Sequence, residues 1–265
     1  MMSCPLCQSP LSPFAKALVL KKYQVNYYRC DGCGFVQTEP PYWLPEAYSE
    51  AINRNDIGLV GRNLRLAKAT RAIISSFFDG NGKFVDYGGG YGLFVRLMRD
   101  AGFDFYRHDK YCANLFAPDF EADPTSGQQY ELLCAFEVFE HLADPLEEID
   151  RMLSHSDNIL FTTEILPPGP PQPDQWWYYI PDYGQHISFY TMDALSKIAQ
   201  RFGLHLCSDG RSLHLFSRRR ISPLLFKAVS RQLVAAVVNL ILRRTSRLAD
   251  DFQEIAKAGP TRLHD

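Results

Sequence analysis

An acid followed by glycines at alternate positions, Asp86-Tyr87-Gly88-Gly89-Gly90-Tyr91-Gly92, comes directly after the apolar pair Phe84-Val85 and directly before a stretch of helical spacing, Leu93 to Asp100. A strand that runs into such a turn and out into a helix can hold a ligand against bare backbone. Glycine takes positive φ and has no side chain to block the approach. The dinucleotide fingerprint fits poorly, because it requires the spacing G-x-G-x-x-G. Counted from Gly88 and Gly90, its third glycine would fall on Leu93. By itself the turn leaves two readings open, a glycine-rich surface turn of some other α/β protein or a ligand cradle.

Downstream of the turn, strand and helix signals alternate, the pattern of a parallel sheet with helices on both faces. Strands are expected near Lys83 to Tyr87, Phe103 to His108, Glu131 to Phe136 and Asn158 to Thr163, with helices near Gly92 to Asp100, Pro145 to Leu153 and Met192 to Phe202. Leu204 to Ser208 and Ser212 to Ser217 flank Asp209-Gly210 and read as a closing hairpin. Upstream, Gly61 to Phe78 has the spacing of an amphipathic helix with Arg62, Arg65, Lys68 and Arg71 facing out. The prolines between Pro40 and Pro45 mark a boundary before it. A long insertion rich in Pro, Trp and Tyr, Leu166 to Tyr190, interrupts the alternation; loops of that length within a domain usually serve function.

Four of the seven cysteines stand in two pairs, Cys4-Pro5-Leu6-Cys7 and Cys30-Asp31-Gly32-Cys33, separated by 22 residues. This is close to the spacing of a four-thiolate structural zinc site. A segment of about forty residues cannot bury enough surface to fold unaided, and zinc adds on the order of 10 kcal/mol of folding free energy. The expected metal ligands are therefore Cys4, Cys7, Cys30 and Cys33, with Phe35, Tyr27 and Tyr28 packed on the cluster. A redox dithiol is the weaker reading, since the pair is duplicated and no thioredoxin-like βαβ unit adjoins it.

The motif D-x-G-x-G-x-G formed by Asp86, Gly88, Gly90 and Gly92 resembles the first motif of the class I S-adenosylmethionine-dependent methyltransferases. A second segment, Glu137-Val138-Phe139-Glu140-His141-Leu142-Ala143-Asp144-Pro145, resembles the E-V-x-E-H-x-x-D-P stretch after the fourth strand of many small-molecule members. Gly184 to Tyr190 is similar to their G-x-H-x-x-x-[FY] segment. The resemblance implies a Rossmann-like α/β methyltransferase sheet with helices on both faces, here with an N-terminal zinc-ribbon-like module and a C-terminal helical tail. On that reading residues 1–40 form the zinc-binding module, 41–80 a linker with the first helices, 81–220 the methyltransferase domain and 221–265 the basic helical tail.

S-adenosylmethionine and zinc are the cofactors so implied. Asp86, Gly88, Gly90 and Gly92 would cradle the methionine end of the former, and Asp109 would accept hydrogen bonds from its ribose. Phe120 and Glu121 would stack on and border the adenine, and Phe136 would complete the pocket. His186 and His141 are the candidate bases, able to take a proton near neutral pH. Glu137 belongs to the same catalytic end, with contact to the methionine portion as its expected duty. The combination with a four-cysteine module resembles the zinc-containing sugar methyltransferases, so the expected acceptor is a small molecule, with a hydroxyl or carbon of a sugar or nucleotide-linked sugar leading. The aromatic run Trp176 to Tyr179 suits a sugar-stacking lid or a loop tucked on the core.

The alternatives are an RNA base methyltransferase, some of which begin with a similar module, and a zinc-containing scaffold that no longer catalyses. Charge argues against nucleic acid. From Arg218 onward there are ten Lys/Arg and four Asp/Glu, leaving 18 against 26 before it, so the body is acidic where RNA binding wants a basic face. No secretory signal is read at the start and no stretch is long enough to span a bilayer, which suggests a cytoplasmic protein. The tail, Pro223 to Ala258, reads as one or two basic helices. Their apolar stripe must pack on the body, on a second copy in a homo-oligomer, or on a membrane surface.

Overall fold

The computed structural model describes residues 2–49, 56–123 and 125–258. Two sheets organise the chain. The larger has six strands: β4 (Lys83–Tyr87), β5 (Asp104–His108), β6 (Leu132–Ala135), β7 (Asn158–Thr162), β9 (His205–Ser208) and β10 (Leu213–Ser217), in the order β5-β4-β6-β7-β10-β9. The first four run parallel, and β10 inserts antiparallel between β7 and β9. Strands β6 and β7 are buried along their whole length, as parallel strands covered on both faces must be. The sequence reading placed these strands to within about two residues. Among the described residues the segment around Glu121 makes one bridge, to Arg107, and no strand; Pro118, three residues before it, cannot donate to a ladder.

Helices α2 (Leu59–Phe77), α3 (Leu93–Asp100), α4 (Pro145–His155) and α5 (Met192–Phe202) cover the sheet. Their ends are marked by local caps. The Asp144 carboxylate accepts the Glu147 amide at the start of α4, and the Thr191 hydroxyl accepts the Ala194 amide at the start of α5. Gly203, at φ 67°, closes α5 in the left-handed cap. A short helix, α1 (Leu44–Ala47), forms within the proline-rich boundary, since Pro45 sits in its first turn where no amide hydrogen is needed.

The second sheet is antiparallel, β1 (Leu11–Val19), β2 (Tyr23–Cys30) and β3 (Val36–Thr38), and its fourth strand comes from far along the chain: β8 (Ser188–Phe189) pairs with β3 through Val36 and Gln37. The cysteine module and the long insertion are thus woven into one structure. Cys4, Cys30, Cys33 and Phe35 share a core with Tyr190, Ala194 and Leu195 of the larger domain. Tyr28 packs at the edge of that core, but Tyr27 does not. Adjacent residues of a strand point to opposite faces, so Tyr27 lies against Tyr179 and Phe189 on the other side.

The tail forms three helices, α6 (Pro223–Val229), α7 (Gln232–Ile241) and α8 (Leu248–Ala258), one more than the sequence reading allowed. The Asp251 carboxylate pins α8 to the body through buried Arg99 at 2.7 Å and Arg96 at 2.8 Å. Among the described residues no single helix is long and apolar enough to cross a membrane.

Candidate active site

A cleft of about 930 Å³ opens at the carboxyl ends of the parallel strands. This is where open α/β sheets bind ligands. The glycine turn forms one wall. Gly88, Gly90 and Gly92 take φ of 72°, 53° and 83°, and the amides of Gly88 and Gly89 donate to the His108 carbonyl at 2.8 and 3.4 Å. A Cβ on Gly88 would stand 2.8 Å from Val138 Cγ2, so the bare backbone is a fitted surface. Asp86, Gly88 and Gly90 line the cleft, while Gly92 sits behind it as the N-cap of α3. The buried Asp86 carboxyl is pushed up to about 8, first by loss of water and then by the neighbouring Asp109 carboxylate, with Arg107 opposing.

Asp109 ties two loops together at the cleft wall. One carboxylate oxygen accepts from Gly90 N at 2.9 Å, and the other from Tyr111 N and Cys112 N at 2.7 and 2.8 Å. Phe136 also faces the cleft and meets Phe94 edge to face at 5.0 Å. Phe120 and Glu121 are not on this wall. Phe120 is buried in the core beneath the Arg99 guanidinium, which lies 3.5 Å from its ring centre. Glu121 pairs with Arg107 at 2.7 Å, and Arg107 in turn donates to the Gly90 and Cys112 carbonyls. Because that segment makes one bridge instead of a strand, these side chains brace the turn from below and do not reach over the cleft.

At the opposite wall, β6 runs into Glu137, whose φ of 55° is a left-handed conformation rare for a residue with a Cβ. Such strain tends to gather at ligand sites. The Thr162 hydroxyl accepts the Glu137 amide at 2.8 Å and donates to its carboxylate at 2.9 Å. Arg62 approaches that carboxylate at 3.7 Å while pairing with Asp56 at 2.6 Å. The helical pattern had Arg62 facing out, but it stands in the first turns of α2, where the helix overhangs the cleft. Its helix position was legible; the overhang was not.

The short 3-10 helix Phe139–His141 turns His141 into the cleft, and the insertion brings His186 to it, with ring centres 4.9 Å apart and planes perpendicular. His186 Nδ1 lies 2.7 Å from the Tyr178 carbonyl, which can only accept, so Nδ1 carries the proton and Nε2 keeps a lone pair. His141 Nδ1 lies 3.0 Å from the Gln185 carbonyl and 2.9 Å from the Tyr48 hydroxyl, giving the same tautomer. Burial holds His186 down to about 3 and His141 to about 4. Glu140 lies between them and the core, fully buried, and neither of its oxygens has a partner at hydrogen-bond geometry among the described residues. Burial and the Glu137 charge raise it well above the usual carboxylate range. The two imidazoles are therefore uncharged near neutral pH, and burial disfavours the charged form of Glu140. Tyr48 had no role in the sequence reading, Glu140 entered it only as part of the E-H motif, and Tyr178 only as part of the aromatic run.

The aromatic run divides between the two expected roles. Tyr179 is buried and Tyr178 packs on His186 at 4.7 Å, while Trp177 stands exposed at the cleft wall. Tyr48 and Tyr111 stack at 5.8 Å across the cleft's upper rim. In the N-terminal module, Cys4 and Cys33 Sγ are 3.8 Å apart and Cys7 and Cys30 Sγ 3.3 Å, with all four within 4.8 Å of one another. Thiolates at tetrahedral zinc, with bonds near 2.3 Å, stand about 3.8 Å apart, so the set fits that ion.

Residues 61–208 match the family model described as a methyltransferase domain, over more than half of the chain. The chain belongs to that family. Its class, S-adenosylmethionine-dependent methyl transfer, follows from the membership, and the fitted glycine turn is the element that would hold that cofactor. No curated protein matches in sequence. Solved structures similar in part include CalO1, a methyltransferase in calicheamicin biosynthesis in its SAH-bound form, at 16% identity and TM-score 0.41, covering 67% of this chain and 60% of that one. The plantazolicin methyltransferase BpumL, with a desmethylPZN analogue and SAH, stands at 10% and 0.47, covering 67% and 93%. The magnesium protoporphyrin IX methyltransferase ChlM of Synechocystis PCC 6803 stands at 12% and 0.42, covering 67% and 95%.

Proposed function

We propose that this methyltransferase acts on a small-molecule acceptor, with a hydroxyl or carbon of a sugar or nucleotide-linked sugar as the leading substrate class and His186 as the base. The carrying observation is that one cleft joins the glycine cradle to a pair of neutral imidazoles whose Nε2 atoms have no hydrogen-bond partner among the described residues. S-adenosylmethionine, when bound, supplies an electrophilic methyl group on a sulfonium. The chain's own groups align the acceptor and exclude water, which provides most of the rate in an in-line displacement. His186 Nε2 takes the acceptor proton as the new bond forms, and the Tyr178 carbonyl on Nδ1 fixes the ring and steadies the imidazolium. His141 supports the same wall, and the exposed Trp177 offers a face on which a sugar ring can lie. We assign zinc to Cys4, Cys7, Cys30 and Cys33 as a closed structural ion.

Labelled methyl transfer, screened over nucleotide sugars with RNA alongside, tests the acceptor; label appearing only in RNA would defeat the reading. His186→Ala should lower kcat about 100-fold with cofactor affinity unchanged, within the usual range for a general base. Equal loss of both would remove its assignment. Because burial depresses this imidazole to about 3, it remains an acceptor far below pH 6.5. The acid limb of kcat/KM should accordingly fall below about pH 5, whereas an exposed histidine would bend it near 6.5.

Asp109→Ala should weaken S-adenosylmethionine binding at least about tenfold by calorimetry, through the lost ribose acceptor and the loosened Gly90 amide. Unchanged affinity would refute the ribose assignment. Asp109→Asn, which keeps an acceptor for the Tyr111 and Cys112 amides, separates the ribose contribution from the support of the loop.

A further inference from the structure

We propose that the outer face of α6 and α7 is a docking surface for an anionic phospholipid membrane. Helix α7, Gln232–Ile241, has no charged residue, and a helix apolar all round must bury both sides. Only its inner side is covered. Ala235 is buried and Val238 partly so against α2, where Gln232 and Asn239 donate to the Arg65 and Lys68 carbonyls. At helical spacing on the outer side, Leu233, Leu240 and Ile241 are 84%, 76% and 72% exposed, with Val237 between them. Leu224 and Leu225 extend the patch along α6 while Phe226 and Val229 point inward.

Charge selects the occupant. From Arg218 to Ala249 the chain has eight Lys and Arg and no acid. Arg218, Arg219 and Arg247 are spent on Asp157, Glu131 and Asp104 of the body, and Arg244 on Asn81. Arg220, Lys227, Arg231 and Arg243 are exposed around the apolar face and, among the described residues, have no ion pair. A two-fold contact between copies would set this acid-free rim against itself. A leaflet of anionic lipid instead takes the leucines among its acyl chains and the cations at its headgroups. Together the two helices have the length and composition of a broken span, but they are bent by 84° and α7 is packed along α2, an arrangement that suits lying along the surface.

Flotation with vesicles of equal parts phosphatidylcholine and phosphatidylglycerol, against phosphatidylcholine alone, tests the proposal on the full chain. Wild type should float with the mixed vesicles and be released by salt. The double variant Leu233→Glu, Leu240→Glu should lose at least about tenfold in partitioning, while methyl transfer and circular dichroism stay as in wild type. Arg231→Glu with Arg243→Glu should remove the salt-sensitive part of binding. Failure of wild type to float with anionic vesicles overturns the proposal. So does a dimer in analytical ultracentrifugation that the leucine variant dissociates, which would assign the face to self-association.

Discussion

Gly88→Ala is expected to weaken S-adenosylmethionine binding on the order of 100-fold, about 2.7 kcal/mol. Two costs combine. Gly88 sits at φ 72°, and the left-handed region costs a residue with a Cβ roughly 1–2 kcal/mol. The added carbon also meets Val138 Cγ2 at 2.8 Å. Relief of that contact moves either the turn or the Phe136 to Val138 segment, and these are opposite sides of one cradle. Gly203→Ala is the control. Its φ is 67° and a Cβ there meets nothing within 4 Å, so it should cost stability alone and leave cofactor affinity untouched. Calorimetry on both variants decides the matter. Equal affinity in Gly88→Ala and wild type would mean that the turn does not hold the cofactor.

What the sequence made legible were features whose physics is local. The glycine turn, the largely apolar β6 and β7 and the paired cysteines each need only neighbouring residues to be read. Features set by distant partners escaped. Arg62 follows the polar side of a helical pattern yet faces the cleft, because the position of α2 over the sheet decides what its polar side sees. Phe120 stands where a motif count would put an adenine neighbour, yet with no strand to project it the ring packs under Arg99. The two-residue strand β8 carries too little pattern to detect, and its partner lies some 150 residues away in sequence. That strand is the link between the thiolates and the site.

On the zinc assignment proposed above, removal of the ion from the cysteine cluster should cost methyl transfer at least about 100-fold, although none of the four cysteines lines the cleft. Zinc in such modules contributes on the order of 10 kcal/mol of folding free energy, comparable to the 5–15 kcal/mol that holds a whole domain. Without it, β1 to β3 lose the joint between Cys4 and Cys33 and between Cys7 and Cys30. The consequence then passes along β3 to β8 and through the Thr191 hydroxyl, which donates to the Cys33 carbonyl at 2.5 Å. His186 stands two residues before Ser188, whose hydroxyl donates to the Leu142 carbonyl at 2.7 Å, and Ile187 N donates to the Glu140 carbonyl at 2.8 Å. Trp43 secures the other side of the same segment through the Gly184 carbonyl at 2.7 Å. Among the described residues the glycine turn has no hydrogen bond to the module and shares only the core around Tyr87 with it, so cofactor affinity should change only a few-fold. Cys30→Ser or a strong chelator, followed by metal content, calorimetry and single-turnover rates, separates the outcomes. Full turnover with the metal gone would make the module a passive appendage, and parallel loss of cofactor binding would make it a general brace. Loss of turnover with cofactor binding kept would make the zinc cluster the distant support of His186.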